Sequence, residues 1–334
     1  MMMKIYSGVA TLIAVVFFGM YMWLGNQNST VINSNVTTGE RELAVRENDV
    51  KINSYINPAK VMEIGKHYII DFSALRDNLR TTTTNLKGQA YVYFSYLNNG
   101  SWIGINEREE FTAASLVKVP LAMAVYKAVE GGRLSLDATY TLVESDLDSN
   151  FGDLYKVGAG QEYTVGELVS IMLRQSDNTA KNALTSMFSK IGIDDPLEDV
   201  YANLGWEFLP ALSGGEDHTQ DPNYTKISLK VLSNMFVALY NATYINIENS
   251  QVILNHLAQT SFSDEIDAGV PEDIPVSHKI GVGGADNTYS DCGIVYAPNR
   301  HYLLCLGTNG LAEKQADAFM ADISRQVYDY VINN

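Results

Sequence analysis

Ser115–Gly132 (SLVKVPLAMAVYKAVEGG) is where the chain changes its period. From Leu116 to Val129 apolar side chains recur three and four apart, which predicts a helix, and Gly131-Gly132 stops it. Upstream, Ala90–Tyr96 (AYVYFSY) and Ser101–Ile105 (SWIGI) are aromatic and β-branched runs around the turn signal Leu97-Asn98-Asn99-Gly100, so a β-hairpin is expected. Before it, Phe72, Leu75, Leu79 and Leu86 stand at helical spacing in residues 71–86. Downstream the helical period continues through 165–173, 179–188 and 227–240. Strand patterns then return at 275–279, 291–296 (DCGIVY) and 302–307 (YLLCLG). A last helical stripe of Leu311, Phe319, Ile323, Val327 and Val331 closes the chain. The expected fold is therefore α+β: an antiparallel sheet flanked by N- and C-terminal helices, interrupted by an all-helical lobe. Residues 65–110 and 275–334 form the sheet-bearing lobe of a 65–334 domain, and 111–274 form the helical one.

The segment ahead of this domain is different in kind. Ile5–Leu24 (IYSGVATLIAVVFFGMYMWL) is uncharged over about 20 residues, the length of a bilayer-spanning helix, and ends in aromatic interface anchors. Residues 1–25 therefore read as an uncleaved membrane anchor, with cleavage as a signal segment the alternative. Lys4 orients the N-terminus to the cytoplasm, so the domain is expected outside it, membrane-anchored or else secreted or periplasmic. Residues 26–64 open with a polar Asn/Ser/Thr tether (NQNSTVINSNVTTGE) and continue into an unassigned stretch.

Composition narrows the partners. With 46% hydrophobic residues a sizeable core can form, and 23 Lys+Arg against 39 Asp+Glu give a net charge of −16 that would repel nucleic acid. Two cysteines are too few for a structural zinc site and the five histidines show no HExxH pairing, so no metal or other cofactor is expected. A monomer is the expected state.

Three short motifs could carry chemistry. Ser115-Leu116-Val117-Lys118 places a hydroxyl and an amine three apart on a helix, where they can meet, and the apolar run after them would desolvate Lys118 and lower its pKa. A neutral lysine can take the Ser115 proton, although a lone match also fits a capping serine beside a solvated lysine. Ser176-Asp177-Asn178 lies between two helical patterns. It reads either as an interhelix turn or as a proton-relaying Ser176, a loop-fixing Asp177 and a substrate-binding Asn178. His278-Lys279-Ile280-Gly281 puts a cation on a strand beside small residues that leave room for a substrate backbone; an edge-strand lysine is the plainer reading.

Together, in this order on helix, loop and strand, the three motifs resemble those of the class A β-lactamases and related penicillin-binding proteins. The resemblance covers about residues 70–334 and implies the α/β-α sandwich of that family. It implies a serine hydrolase in which Ser115 is acylated by β-lactams, Lys118 is its base, Ser176 relays the proton and Lys279 anchors a carboxylate. It further implies substrate contacts at Asn178 and Gly281, an oxyanion hole from the N–H groups of Ser115 and Val282, and Phe151 as an aromatic wall, unless Phe151 is a core residue. The substrate would be a β-lactam, with a role in antibiotic resistance, or a cell-wall peptide.

The departures are as informative. Ile280 lacks the hydroxyl of the family's Lys-Thr-Gly, so a hydrogen bond to the β-lactam carboxylate worth roughly 1.5 to 3 kcal/mol cannot form. No Glu-x-x-Leu-Asn motif, which carries the family's deacylating glutamate, occurs anywhere. In the corresponding stretch Glu207, Glu216 and Asp217 are available, with Glu216 the preferred base and a solvated loop carboxylate the alternative. Strand 290–296 has Asp291 where many members have an arginine. A D,D-peptidase or esterase with slow or absent β-lactam turnover, and a non-catalytic peptidoglycan-binding protein, are the competing expectations. Finally, a symmetric loop around Ala297-Pro298-Asn299-Arg300 would set Cys292 opposite Cys305, a disulfide-competent pair in an exported domain; a three-residue loop would break that register.

Overall fold

The computed structural model describes residues 70–205, 226–283 and 287–334. In chain order they form α1 (Ser73–Thr84), β1 (Gln89–Tyr96), β2 (Trp102–Ile105), β3 (Glu110–Thr112), α2 (Lys118–Glu130), β4 (Thr139–Thr141), β5 (Glu162–Thr164), α3 (Val165–Arg174), α4 (Asn178–Lys190), α5 (Glu198–Leu204), β6 (Lys226–Ser228), α6 (Leu229–Tyr240), α7 (Ile247–Ala258), β7 (Val276–Gly283), β8 (Thr288–Val295), β9 (Tyr302–Asn309) and α8 (Glu313–Asn333).

Five strands build one antiparallel sheet in the order β2-β1-β9-β8-β7, with β7 at an edge. Strand β1 is apolar at nearly every position because both faces of the sheet are covered. Val92, Phe94, Tyr96, Leu304 and Leu306 meet Leu75 and Leu79 of α1 and Phe319, Ile323, Val327 and Val331 of α8. Tyr91, Tyr93, Ile294, Leu303 and Cys305 face the other way, into a second core with the helical lobe. Each large side chain buried this way contributes about 1.5–3 kcal/mol, so the two faces hold the lobes in one arrangement.

The inserted lobe is not all-helical. Strand β4 pairs with β5 and β3 with β6 in three-residue ladders, too short for an alternation to register in the sequence. Ile227, read as the start of a helix, is in β6; α6 starts after Ser228, whose Oγ accepts the Val231 N–H at 3.4 Å. The helices α5 and α7 were not expected. The latter is capped by Asn246, whose Oδ1 accepts the Asn249 N–H at 2.8 Å. At α3 a capping box operates: Thr164 Oγ1 accepts from Glu167 N, and Glu167 Oε2 accepts from Thr164 N.

The β8–β9 hairpin has the register expected around Ala297–Arg300, with Cys292 opposite Cys305, and the two are joined in a disulfide. On β7 the residue opposite Cys292 is Lys279. Among the described residues no helix is long and apolar enough to cross a membrane. The apolar stretch 5–24, the tether, and Glu207, Glu216 and Asp217 lie outside the described residues.

Candidate active site

Ser115 does not sit on the α-helix its spacing suggested but in a 3-10 turn, Ala114–Val117, that leads into α2. The turn keeps residues three apart on one side, so the pairing with Lys118 survives. Ala114, the first residue of the turn, has φ 47°, a left-handed conformation that costs an L-residue about 1–2 kcal/mol. Ser176, between α3 and α4, is likewise left-handed at φ 55°. Strain of this kind collects where a site must hold a side chain in a set position.

Asp177 fixes the Ser176 loop. Its Oδ1 accepts the Ala180 N–H at 2.9 Å, capping α4, and its Oδ2 accepts the Leu154 N–H at 2.8 Å. A Cβ at Gly152 would stand 2.1 Å from that Oδ2, so only glycine fits there. The Asn178 N–H donates to Phe151 O at 3.0 Å, which draws Phe151 to the cleft.

Five side chains converge. Lys118 Nζ lies 3.0 Å from Ser115 Oγ, 3.2 Å from Ser176 Oγ and 2.7 Å from Asn178 Oδ1, and also bonds the Ser176 carbonyl. Lys279 Nζ donates to Ser176 Oγ at 2.7 Å and to Ile280 O at 3.0 Å. Both lysines are buried. Burial, reinforced by the Lys279 charge, pushes Lys118 down to about 6, and burial pushes Lys279 down to about 7 against the pull of Asp291 and Glu265. A neutral Lys118 has two N–H donors and one lone pair. The Ser176 carbonyl and Asn178 Oδ1 can only accept, so they take the two donors and leave the lone pair for a hydroxyl.

Gly281 lets β7 come against the serine turn: a Cβ there would lie 2.6 Å from Ser290 Oγ and 2.8 Å from Ala113 O. Val282 follows it along the same edge, half-buried. Phe151 is half-buried and packs against Phe262 with ring centroids 5.9 Å apart. Lys118 Nζ is 5.8 Å from the Phe151 ring, and Lys279 Nζ is 5.7 Å from that of Phe262. Asp291, noted in place of an arginine, is fully buried. Its carboxylate accepts from His278 Nδ1 at 2.9 Å and from the Ile266 N–H at 3.1 Å.

Sequence reasoning missed Phe262 and the acids after it. The run Ser263–Asp267 (SDEID) reads as a solvated loop, yet Glu265 is buried, and nothing local distinguishes it from Asp264, which is exposed. Glu216, the preferred deacylating base, lies outside the described residues and is not placed.

A family model described as "Beta-lactamase enzyme family" matches residues 74–331. An imipenem-hydrolyzing beta-lactamase of Enterobacter cloacae is 27% identical over 270 residues, 76% of this chain and 88% of the relative. Beta-lactamase SME-1 of Serratia marcescens is 25% identical over 268 residues, 75% and 87% of the two chains. Among solved structures, a mutant of PBP-A in an acyl-enzyme complex with penicillin G superposes with a TM-score of 0.70 at 21% identity, covering 81% of this chain and 100% of that one. The beta-lactamase from Sphaerobacter thermophilus DSM 20745 gives 0.69 at 24% identity, with 79% and 99% covered.

Proposed function

The chain belongs to the beta-lactamase enzyme family, and we propose that Ser115 is the nucleophile of a serine hydrolase of class A type, acylated by β-lactams and hydrolysing their amide bond. The observation that carries this reading is the buried Lys118 Nζ, 3.0 Å from Ser115 Oγ, where burial pushes its pKa down to about 6. As Ser115 Oγ bonds to the lactam carbonyl carbon, its proton passes to the Lys118 lone pair. The C–N bond then breaks, and the proton reaches the leaving nitrogen through Ser176 Oγ, 3.2 Å from Lys118 Nζ. Backbone N–H groups of Ser115 and Val282 would hold the oxyanion, while Asn178 and Gly281 would line the acyl chain.

One sequence observation favours a second reading, a penicillin-binding-type acyl transferase. Without Glu-x-x-Leu-Asn, release of the acyl-enzyme falls to another acid such as Glu216, and without such an acid the adduct persists. The apolar stretch 5–24 would carry the domain out of the cytoplasm, a placement that the Cys292–Cys305 disulfide supports.

Mixing the full-length chain with a slight molar excess of a penicillin and following intact mass separates these readings. A transient adduct with hydrolysed drug is expected for a β-lactamase, and a lasting adduct for a penicillin-binding acyl transferase. An adduct that survives Ser115→Ala, or no adduct at all, would overturn the assignment of Ser115.

A further inference from the structure

Beside β7 lies a pocket lined by Phe151, Phe262 and Val282. It adjoins the cluster described above, since Phe151 packs on Phe262 and the two rings stand 5.8 and 5.7 Å from Lys118 Nζ and Lys279 Nζ. Its polar wall is acidic: Glu265, Asp264, Glu313 and Asp317 line it, and among its described lining residues none is Lys, Arg or His. Glu265 is only 9% exposed, and its Oε2 is buried with no hydrogen-bond partner among the described residues. A buried acceptor left open costs roughly 1–3 kcal/mol unless something fills it, and the atom belongs to a side chain that faces this pocket.

An anion finds little here. Ile280 has no hydroxyl to offer, and Lys279 is fully buried with its Nζ bonded to Ser176 Oγ and Ile280 O. Burial, then the neighbouring Asp291 charge, pushes Glu265 up to about 8. Even with Glu265 protonated, Asp264, Glu313 and Asp317 keep the field of the pocket negative.

We propose that this pocket receives a cationic group, an ammonium or amidinium, carried on the leaving-group side of the acyl substrate, with Glu265 accepting its hydrogen bond. The inference rests on the serine-hydrolase reading only for the orientation of the substrate; the recognition itself needs no chemistry. It makes Glu265 and Asp317 specificity-determining residues, and it reverses the charge preference that a ring carboxylate would require.

Three penams with one shared acyl side chain test it, differing only at the ring carboxylate: free carboxylate, neutral methylamide and aminoethylamide, whose terminal amine is an ammonium at pH 7. Their Kd values are measured on full-length Ser115→Ala, where acylation cannot occur, and their adduct rates on the wild type. The ammonium form is expected to bind at least about tenfold more tightly than the carboxylate form, as a charge-assisted hydrogen bond would give. Glu265→Gln with Asp317→Asn, added to Ser115→Ala, should reduce that preference while leaving the methylamide Kd unchanged. Equal or tighter binding of the carboxylate form overturns the inference, as does a preference that the double substitution leaves unchanged. The Kd order without any adduct on wild type would sink the nucleophile assignment and leave this inference standing.

Discussion

Two buried charge clusters alternate along β7, one on each face, and they solve the same problem in opposite ways. Lys279 joins Lys118 and Ser176 on the side of the helical lobe. His278, its neighbour in sequence, pairs with Asp291 on the other side, close to Glu265. In the first cluster two like charges share one dry space, so burial and repulsion drive Lys118 toward the neutral amine that chemistry needs. In the second, burial alone would strip His278 of its proton, but the charge and hydrogen bond of Asp291 outweigh it and the imidazole is raised. Burial sets the cost in both; the sign of the neighbour decides whether the group stays charged.

The two clusters should fail differently. Lys118→Ala should lower the Ser115 acylation rate by about 10²–10⁴-fold, the usual range for a lost general base, with little change in folding. Stopped-flow acylation checks it, and a rate within a few-fold of wild type would remove Lys118 as the base. Acylation by the wild type should also fall about tenfold per pH unit below about 6, where Lys118 gains its proton.

Asp291→Ala should instead act on stability, costing roughly 3–5 kcal/mol by leaving His278 and the Ile266 N–H buried without their partner. Urea unfolding measures this. Asp291→Asn, which preserves part of the hydrogen bonding, should lose less.

The pH dependence of stability should have opposite signs. Lys118 and Lys279 bind protons more weakly folded than unfolded, so their contribution rises with pH above about 6 and 7 toward the ordinary lysine value. Glu265 is raised, so its contribution is full below the ordinary carboxyl value and fades as pH climbs through about 8. Wild type should therefore lose stability relative to Glu265→Gln as pH rises from the ordinary carboxyl value toward about 8, by at most about 1.4 kcal/mol per unit. Wild type gaining on Glu265→Gln over that range would reverse the assignment. Smallest of all, Ala114→Gly should relieve the left-handed strain and stabilise by about 1 kcal/mol while slowing acylation, since the serine turn loses rigidity.

What could be read in advance follows from which signals are local. Periodicity found β1, α2, α3, α4 and α8 to within a few residues because each buries a continuous face of its own. The ladders β3–β6 and β4–β5 escaped because three residues cannot show an alternation, and their pairing partners are far apart in the chain. Ser115, Lys118, Ser176 and Lys279 were legible as motifs, and hairpin symmetry offered the Cys292–Cys305 pairing, while the loop length that selects it was left to the structure. Phe262 and Glu265 were not legible, since a loop of polar and acidic residues gives no sign of which one turns inward.

By itself, then, the order of residues determined the chemistry available: a hydroxyl and an amine one turn apart, a serine loop and a strand-borne lysine, together with the missing hydroxyl at Ile280. The tertiary structure decided the state of those groups. Packing β7 against the serine turn brought two lysines into one buried space, where both pKa values fall, and the same strand gathered acids from two distant segments into one pocket. Protonation and pocket charge depend on distance and dielectric, and those exist only once remote parts of the chain are packed together.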